Sequence, residues 1–388
     1  MNKVYELLIK CVASSLGSNV AVTEQPDEQT MEQLYAPSKK HSVIPLVYDG
    51  INRLQISLPS DDLKTKFKRL NARYAMQYVL QDEQLKHITD EFESAHIRNM
   101  PLKGSILRAM YPSPELRTSS DIDILYDEEN RSKVEKIFAA FGYQPGEEEA
   151  KDISYKKPPL VNIEMHHSLM GDHPEIEGDF ADVWDRCHTV DGSDYSYEMT
   201  DEDFYVYMIV HAAKHYLMGG IGIRFVTDVF VFLRARGENM DMQSVENKLE
   251  KHKCSTFNRK ITALAYHWFA NGASDETTEA LGDFICGCGI FGNAENRVAN
   301  QIANGGSSFI LRRIFPSYTT MCCYFPKLKN HGILLPYYWA KRIVNAAFKR
   351  NTKFFDEAKI KSSLSEEKVN SVKKLNDELG FSDQTLKY

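Results

Sequence analysis

The sequence predicts an α+β fold, a small mixed β-sheet with helical regions before and after it, and three patterns carry that prediction. Through residues 1–95 the apolar positions recur every three or four residues, the period of one helix face. Within residues 96–190 they switch to the alternation of a half-buried strand, and over 191–388 they return to helical spacing. The chain is therefore read as an N-terminal helical region (1–95), an α/β core (96–190) and a C-terminal helical domain (191–388).

Each element has its own signal. Val4, Leu7, Leu8, Cys11, Val12 and Leu16 form one stripe and predict a short amphipathic helix, and the polar stretch 23–33 after it predicts a connector. Residues 43–56 suit a second helix. Pro59-Ser60-Asp61-Asp62 then makes a helix start, and Leu63, Phe67, Leu70, Tyr74, Leu85 and Phe92 continue one long face. Met100-Pro101-Leu102 predicts a short strand that turns into a helical run at Lys103-Gly104-Ser105. Val134, Ile137 and Phe138 mark a helix over 130–141, stopped at Gly142. Strands over 153–157 and 160–166 flank Pro158-Pro159, a connection too short for a crossover helix, so the two must pair antiparallel. The acidic stretch 171–203, punctuated by Pro174, Gly178 and Gly192, marks the boundary of the core.

Beyond it, Thr200 to Asp203 have capping spacing for a helix that begins near Asp201. A following helix from about Ile223 buries Phe225, Val226, Val229, Phe230 and Leu233. The remainder predicts helices broken at Gly305-Gly306, Pro316, Pro326 and Pro336, the last carrying Val369, Val372, Leu375 and Leu379 ahead of Gly380.

The stretch 103–127, KGSILRAMYPSPELRTSSDIDILYD, carries the chemistry. In an extended chain Asp121 and Asp123 share a face while Ile122 and Ile124 point into the opposite layer. Two carboxylates on one face repel each other unless a cation sits between them, and hard cations such as Mg2+ combine one or two protein carboxylates with substrate phosphates. Upstream, Gly104 sits at a strand-to-helix turn where the backbone can approach an anion. Downstream, LVNIEMHH alternates, with Val161, Ile163 and Met165 on one face and Asn162, Glu164 and His166 on the other. If these strands are neighbours, Glu164 is a third acid. The plain alternative for Asp121-x-Asp123 is a solvated edge strand.

Composition limits the partners. A chain of 388 residues, 43% hydrophobic and 26% charged, has the balance of an ordinary globular protein with a substantial core. A net charge of -7 argues against a dedicated DNA or RNA binder, though not against a nucleotide whose charge a metal carries. Seven scattered cysteines without C-x-x-C pairs fit a reduced cytoplasm, with no zinc site expected at Cys286-Gly287-Cys288 or Cys322-Cys323. With no apolar run near ~20 residues, neither secretion nor membrane insertion is expected.

The order Gly104-Ser105, Asp121-x-Asp123 and then Glu164 on a later strand resembles the DNA polymerase beta-type nucleotidyltransferase superfamily. Lys103-Gly104, Arg117 ahead of DIDIL, the IEMHH strand, His211-Ala-Ala-Lys214-His215 and Arg224-x-x-x-Asp228 resemble more closely the bacterial nucleotidyltransferase family proteins, most of whose members are uncharacterised. The resemblance spans about residues 97–233, with a weaker echo in FPSY, YFPKL and LLPYYWAKR. One departure is the fifteen residues between Ser105 and Asp121, which include Pro112 and Pro114.

The resemblance implies a metal-dependent enzyme that moves a nucleoside monophosphate from an NTP, with ATP the expected donor, to a small-molecule or protein acceptor. Asp121, Asp123 and Glu164 are then the catalytic and metal-binding acids for Mg2+ or Mn2+. Lys103, Gly104, Ser105 and Arg117 face the triphosphate, and His166, His211, Lys214, His215, Arg224 and Asp228 face the substrate. The shared fold selects neither the acceptor nor the oligomeric state.

Alternatives stand beside these roles. His211 and His215, at i and i+4, suit a polar cleft wall, a structural pair, or zinc ligands completed by Asp228 as in a histidine-metal hydrolase. Ala212 excludes the H-E-x-x-H metalloprotease class. Arg224 and Asp228 are most simply a helix-surface ion pair worth ~0.3–0.5 kcal/mol. His166, His167, Asp172, His173 and Asp179 form a second histidine-acid cluster, in which His167 and His173 are read as surface. At the level of the whole protein, a catalytically silent nucleotide-binding or adaptor protein of the same fold is the alternative to an enzyme.

Overall fold

Side-chain caps open several of the helices. Asn2, Asp27, Ser60, Thr200, Asp241 and Asp275 each accept a hydrogen bond from a backbone N–H of the first turn, satisfying a donor that a helix start leaves unpaired. The computed structural model describes residues 1–148, 152–170, 174–290, 292–305, 315–329, 331–348, 360 and 362–382. The expected chain break at Gly305-Gly306 and the cluster residues Asp172 and His173 lie partly or wholly outside the described residues.

Four helices lead in: α1 Lys3–Ser15, α2 Glu28–Lys40, α3 Ile44–Arg53 and α4 Asp61–Ser94. The connector expected over 23–33 is corrected by α2, which starts at Glu28 because Asp27 caps it, accepting from the Thr30 N–H at 2.8 Å. Met31 and Leu34 on α2 are buried, so its apolar stripe is short and lies within a polar composition.

The sheet has five strands: β1 Asn99–Pro101, β2 Ile122–Tyr126, β3 Gln144–Glu148, β4 Asp152–Lys157 and β5 Val161–His166. Their spatial order is β1-β2-β5-β4-β3, and all neighbours are antiparallel except β2 and β5. The sheet is thus mixed, and β4 and β5 pair as the short Pro158-Pro159 connection requires. Sequence alternation gave no sign of β3: its QPGEE is exposed throughout and forms a sheet edge, where proline, glycine and charge are tolerated.

The two faces of the sheet are unlike. Ile122, Ile124, Ile153, Tyr155, Ile163 and Met165 pack on Phe92 of α4 and on Val134 and Phe138 of the helix α6, Arg131–Ala140. The opposite face carries Asp123, Glu164 and His166 and looks toward the one-turn helix α5 (Gly104–Leu107) and the C-terminal helices. After the short helices α7 (Pro174–Glu177) and α8 (Val183–Arg186), the strands β6 (His188–Thr189) and β7 (Tyr197–Glu198) form a small antiparallel pair. The helices α9 Asp201–Leu217, α10 Ile223–Arg236, α11 Met242–Lys251, α12 Ser255–Ala270, α13 Glu276–Gly287 and α14 Ala294–Gly305 follow. Helices Tyr318–Tyr324, Leu335–Phe348 and Glu366–Glu378 come last, and Pro336, expected to break a helix, lies in the first turn of one. There it suits the fixed φ of proline and its missing donor. Among the described residues no helix is long and apolar enough to cross a membrane.

One core joins the first helices to the later ones. Leu8 and Val12 of α1 are fully buried in the same cluster as Ile261 and Leu264 of α12. His41 clasps this seam: its Nδ1 accepts from the Ile223 N–H at 3.3 Å, so the proton sits on Nε2, 3.3 Å from the Cys286 carbonyl. Gly50 of α3 meets α1 so closely that an added Cβ would lie 2.0 Å from the Cys11 carbonyl oxygen. Backbone cannot rotate out of the way. Gly50→Ala is therefore expected to lower unfolding free energy by about 1–3 kcal/mol in chemical denaturation; an unchanged midpoint would mean that α1 and α3 separate freely.

Candidate active site

Strand register builds the acid cluster. Asp123 on β2 stands directly opposite Glu164 on the parallel strand β5, and His166 lies two residues further along β5 on the same face. Ligand atoms of Asp123, Glu164 and His166 all lie within 4.8 Å of one another. Asp123 Oδ1 is 2.8 Å from His166 Nε2, Glu164 Oε2 is 3.8 Å from the same nitrogen, and Asp152 on β4 lies 3.6 Å from His166 Nδ1. Asp121, one residue ahead of β2, accepts from Ser120 Oγ at 2.9 Å. His166 thus sits among the acids themselves.

Lys103 supplies the counter-charge, with its Nζ 2.7 Å from Asp123 Oδ1. Burial works against the Asp123 charge, but Lys103 and His166 outweigh it and hold the carboxyl well below the usual range. Burial likewise opposes the Lys103 charge, and Asp123, the Tyr207 phenol and Asp121 together raise its pKa instead. Burial and Asp123 raise Asp121. Burial, Asp121 and Asp123 push Glu164 up to about 7. Three carboxyl groups therefore share one field with a single close lysine, an arrangement that favours an added cation.

Gly104 is required for the next layer. A Cβ there would lie 2.6 Å from Arg117 Nη1 and 2.7 Å from Ser119 Oγ, so any side chain would fill the space in front of the guanidinium. Lys103 before it takes the left-handed φ of +44°. Ser105 lies in the first turn of α5, its N–H donating to the Leu102 carbonyl. Arg117 is buried and grips Asp228 of α10 with two bonds, Nε to Oδ1 at 2.8 Å and Nη2 to Oδ2 at 2.9 Å, while Tyr111 Oη donates to the same Oδ1 at 2.7 Å. The expected Arg224–Asp228 pair is corrected here. Asp228 serves the loop between α5 and β2, because a buried guanidinium needs a buried carboxylate more than a half-exposed one does.

Two donors point inward without a partner, Arg117 Nη1 and Arg224 Nε. Arg224 Nη1 donates to the Thr118 carbonyl at 3.0 Å, and its Nη2 and Nε belong to a guanidinium whose pKa is lowered by burial and by Arg117 and pulled back by Asp228 and, more weakly, Asp121. Arg108, not foreseen from sequence, completes an arginine trio around Gly104. Its Nε donates to the Gly104 carbonyl at 3.2 Å and its Nη2 to Gln81 Oε1 of α4 at 3.0 Å. Burial and Arg117 push its pKa down to about 10. Arg117 thus has one carboxylate partner and two neighbouring guanidiniums, which leaves this wall with a surplus of positive charge.

Helix α9 closes the side beside Lys103. Tyr207, also not foreseen, hydrogen-bonds Lys103. One turn on, His211 and His215 bring their Nε2 atoms to 3.2 Å, and both rings lie about 6 Å from Phe225, the residue after Arg224. Lys214 between them is buried. Among the described residues, the histidine pair belongs to no group of three metal-ligating side chains, and the Asp228 that a histidine-metal hydrolase would recruit is fully engaged with Arg117 and Tyr111. His167, read as surface, is partly exposed with Nδ1 3.9 Å from Glu128. The signal for Tyr111 and Tyr207 was weak, since a tyrosine in an apolar run announces core, while Asp152 and Arg108 needed the strand pairing to be placed at all.

A family model described as an uncharacterised nucleotidyltransferase matches residues 27–270, more than half of the chain. No curated protein and no solved structure matches it.

Two stability contrasts follow from the charges. Glu164 has a folded pKa near 7 against an ordinary value of 4.5, so its ionisation costs the fold nothing below pH 4.5 and its full penalty above pH 7. Glu164→Gln is therefore expected to be more stable than the wild type by about 1–2 kcal/mol at pH 8 without metal, the advantage vanishing near pH 4. Asp228→Asn, which leaves Arg117 buried without a counter-charge, is expected to lose about 3–5 kcal/mol. Arg224→Ala should lose less than about 1 kcal/mol, and denaturant titrations of the three variants at both pH values measure the pattern.

Proposed function

We propose that this chain, which belongs to the uncharacterised nucleotidyltransferase family, transfers a nucleoside monophosphate from an NTP, with ATP as donor, to a hydroxyl of a small-molecule or protein acceptor. The observation that carries the reading is the cross-strand placement of Asp123 and Glu164, with His166 beside them and Asp121 one step away. The donor set fits a divalent cation. Carboxylate oxygens suit Mg2+, and the added imidazole makes Mn2+ at least as suitable. When bound, the ions would supply Lewis-acid charge on the phosphoryl oxygens and favour ionisation of the acceptor hydroxyl.

The chain's own residues supply the rest. Asp121, Asp123 and Glu164 would hold the cations, with Lys103 and His166 fixing Asp123 in one orientation. Gly104 lets the turn pack directly against Arg117 and Ser119, and the buried donors Arg117 Nη1 and Arg224 Nε, which have no hydrogen-bond partner, suit phosphate oxygens. Asp228 and Tyr111 hold the Arg117 fork in place. Glu164, opposite Asp123 on the neighbouring strand, is suited to accept the acceptor's proton. The acceptor oxygen bonds to the α-phosphorus and the bond to the bridging oxygen breaks, releasing pyrophosphate. Tyr207, His211, His215 and Phe225 offer an aromatic and imidazole wall for the acceptor.

A silent nucleotide-binding protein is the second reading, and one observation favours it: Asp123 already has two partners in Lys103 and His166 without any metal. Turnover separates the two. Incubation with each α-labelled NTP, Mg2+ or Mn2+ and a cell extract is expected to label one acceptor, and Asp121→Asn or Glu164→Gln to reduce labelling by about 10³-fold or more while retaining the fold. Nucleotide binding with no labelled product would establish the silent reading; labelling that survives both substitutions would remove these acids from the mechanism.

A further inference from the structure

The chain segregates its charge. Residues 296–355 contain ten lysines and arginines and no aspartate or glutamate, within a chain of net charge -7. The family match ends at residue 270, well before this segment. Its described part, 315–329 and 331–348, has a small core of its own in which Met321, Cys322 and Leu328 pack with Phe325, Leu335, Tyr338 and Trp339. Trp339 Nε1 donates to the Pro316 carbonyl at 3.0 Å and Tyr318 Oη to the Leu328 carbonyl at 3.0 Å, so the fold of this unit is tied on its inner side.

The outer side is apolar and bare. On the helix Leu335–Phe348, Leu335, Tyr338 and Trp339 face the small core, while Pro336, Tyr337, Ala340, Ile343 and Val344 occupy an opposite arc of roughly 120° at 100° per residue, and all five are exposed. Ile333, just before the helix, is 91% exposed. A helix that is apolar on both sides is one that something covers. The same unit carries the exposed cations Lys327, Lys329 and Lys341.

We infer that this basic, apolar-tipped unit docks the protein peripherally on an anionic phospholipid bilayer. Aliphatic tips, an interfacial tyrosine and accompanying lysine and arginine are the composition that enters the headgroup layer, whereas a stacking face for nucleic acid is led by aromatic rings, and of the five residues on the bare arc only Tyr337 is aromatic while Ile343, Val344 and the neighbouring Ile333 are aliphatic. The acidic remainder of the chain is repelled by the same surface. Docking is therefore oriented, with only this face in contact.

Vesicle flotation of the full chain tests it. Partition onto 70:30 phosphatidylcholine–phosphatidylglycerol vesicles is expected to exceed that onto phosphatidylcholine alone by about tenfold or more and to fall as NaCl rises. Ile333→Glu with Val344→Glu should lose about tenfold, and Lys327→Glu with Lys329→Glu a similar factor, each with unchanged circular dichroism. Both substitution pairs lie on exposed positions, so loss of fold does not explain loss of binding. Equal partition onto neutral and anionic vesicles, or binding untouched by the apolar pair, overturns the inference. So does a dimer that the apolar pair dissolves in light scattering, or binding to a single-stranded oligonucleotide with none to vesicles.

Discussion

The buried bond between Arg117 and Asp228 is the constraint on which the site depends. Arg117 leaves the loop that connects α5 to β2, Asp228 comes from α10 more than a hundred residues later, and both side chains are almost wholly removed from water. A guanidinium in that position is tolerable only because its carboxylate arrives with matching fork geometry and Tyr111 satisfies the remaining lone pair. Everything between the glycine turn and the aspartate strand is hung from this bond. Thr118, next in sequence, is gripped on both sides, its hydroxyl by the Ser42 carbonyl and its own carbonyl by Arg224.

The acid cluster and the arginine wall then work as opposites. Asp121, Asp123 and Glu164 raise one another's cost of ionisation, with Lys103 paired to Asp123, and Arg117, paired to Asp228, is repelled by Arg108 on one side and Arg224 on the other. Each half is uncomfortable alone. A ligand that presented cations to the first and anionic oxygens to the second would relieve both at once.

Much of this was legible from residue order, and the rest failed for identifiable reasons. Alternation in DIDIL and VNIEMH assigned the faces, and the register that sets Asp123 opposite Glu164 follows once β2 and β5 are neighbours. What alternation does not contain is which strand neighbours which, so Asp152 escaped notice although it ends up beside His166. The partner of Arg117 was hidden for a related reason. Helical spacing matched Asp228 with Arg224 at i+4, while a longer-range, fully desolvated bond won. At the N-terminus, a helix whose stripe is only Met31 and Leu34 reads as a polar connector until Asp27 is recognised as its cap. The edge strand β3 carries no apolar pattern at all.

His41 gives the seam between the early and late helices a chemical polarity of its own. Its ring must be neutral, because Nδ1 is an acceptor for the first N–H of α10 while Nε2 faces the Cys286 carbonyl, and burial with the nearby Lys40 charge lowers its pKa to about 4. A depressed histidine contributes stability that is complete above about pH 6.5, the ordinary imidazole value, and is lost as pH falls toward the folded value. Protonation would convert the acceptor into a donor aimed at another donor. The first turn of α10 carries Arg224, so as pH falls Glu164 loses its charge first, near 7, and further acid would then loosen the arginine wall from behind, like a latch released on the far side of a door.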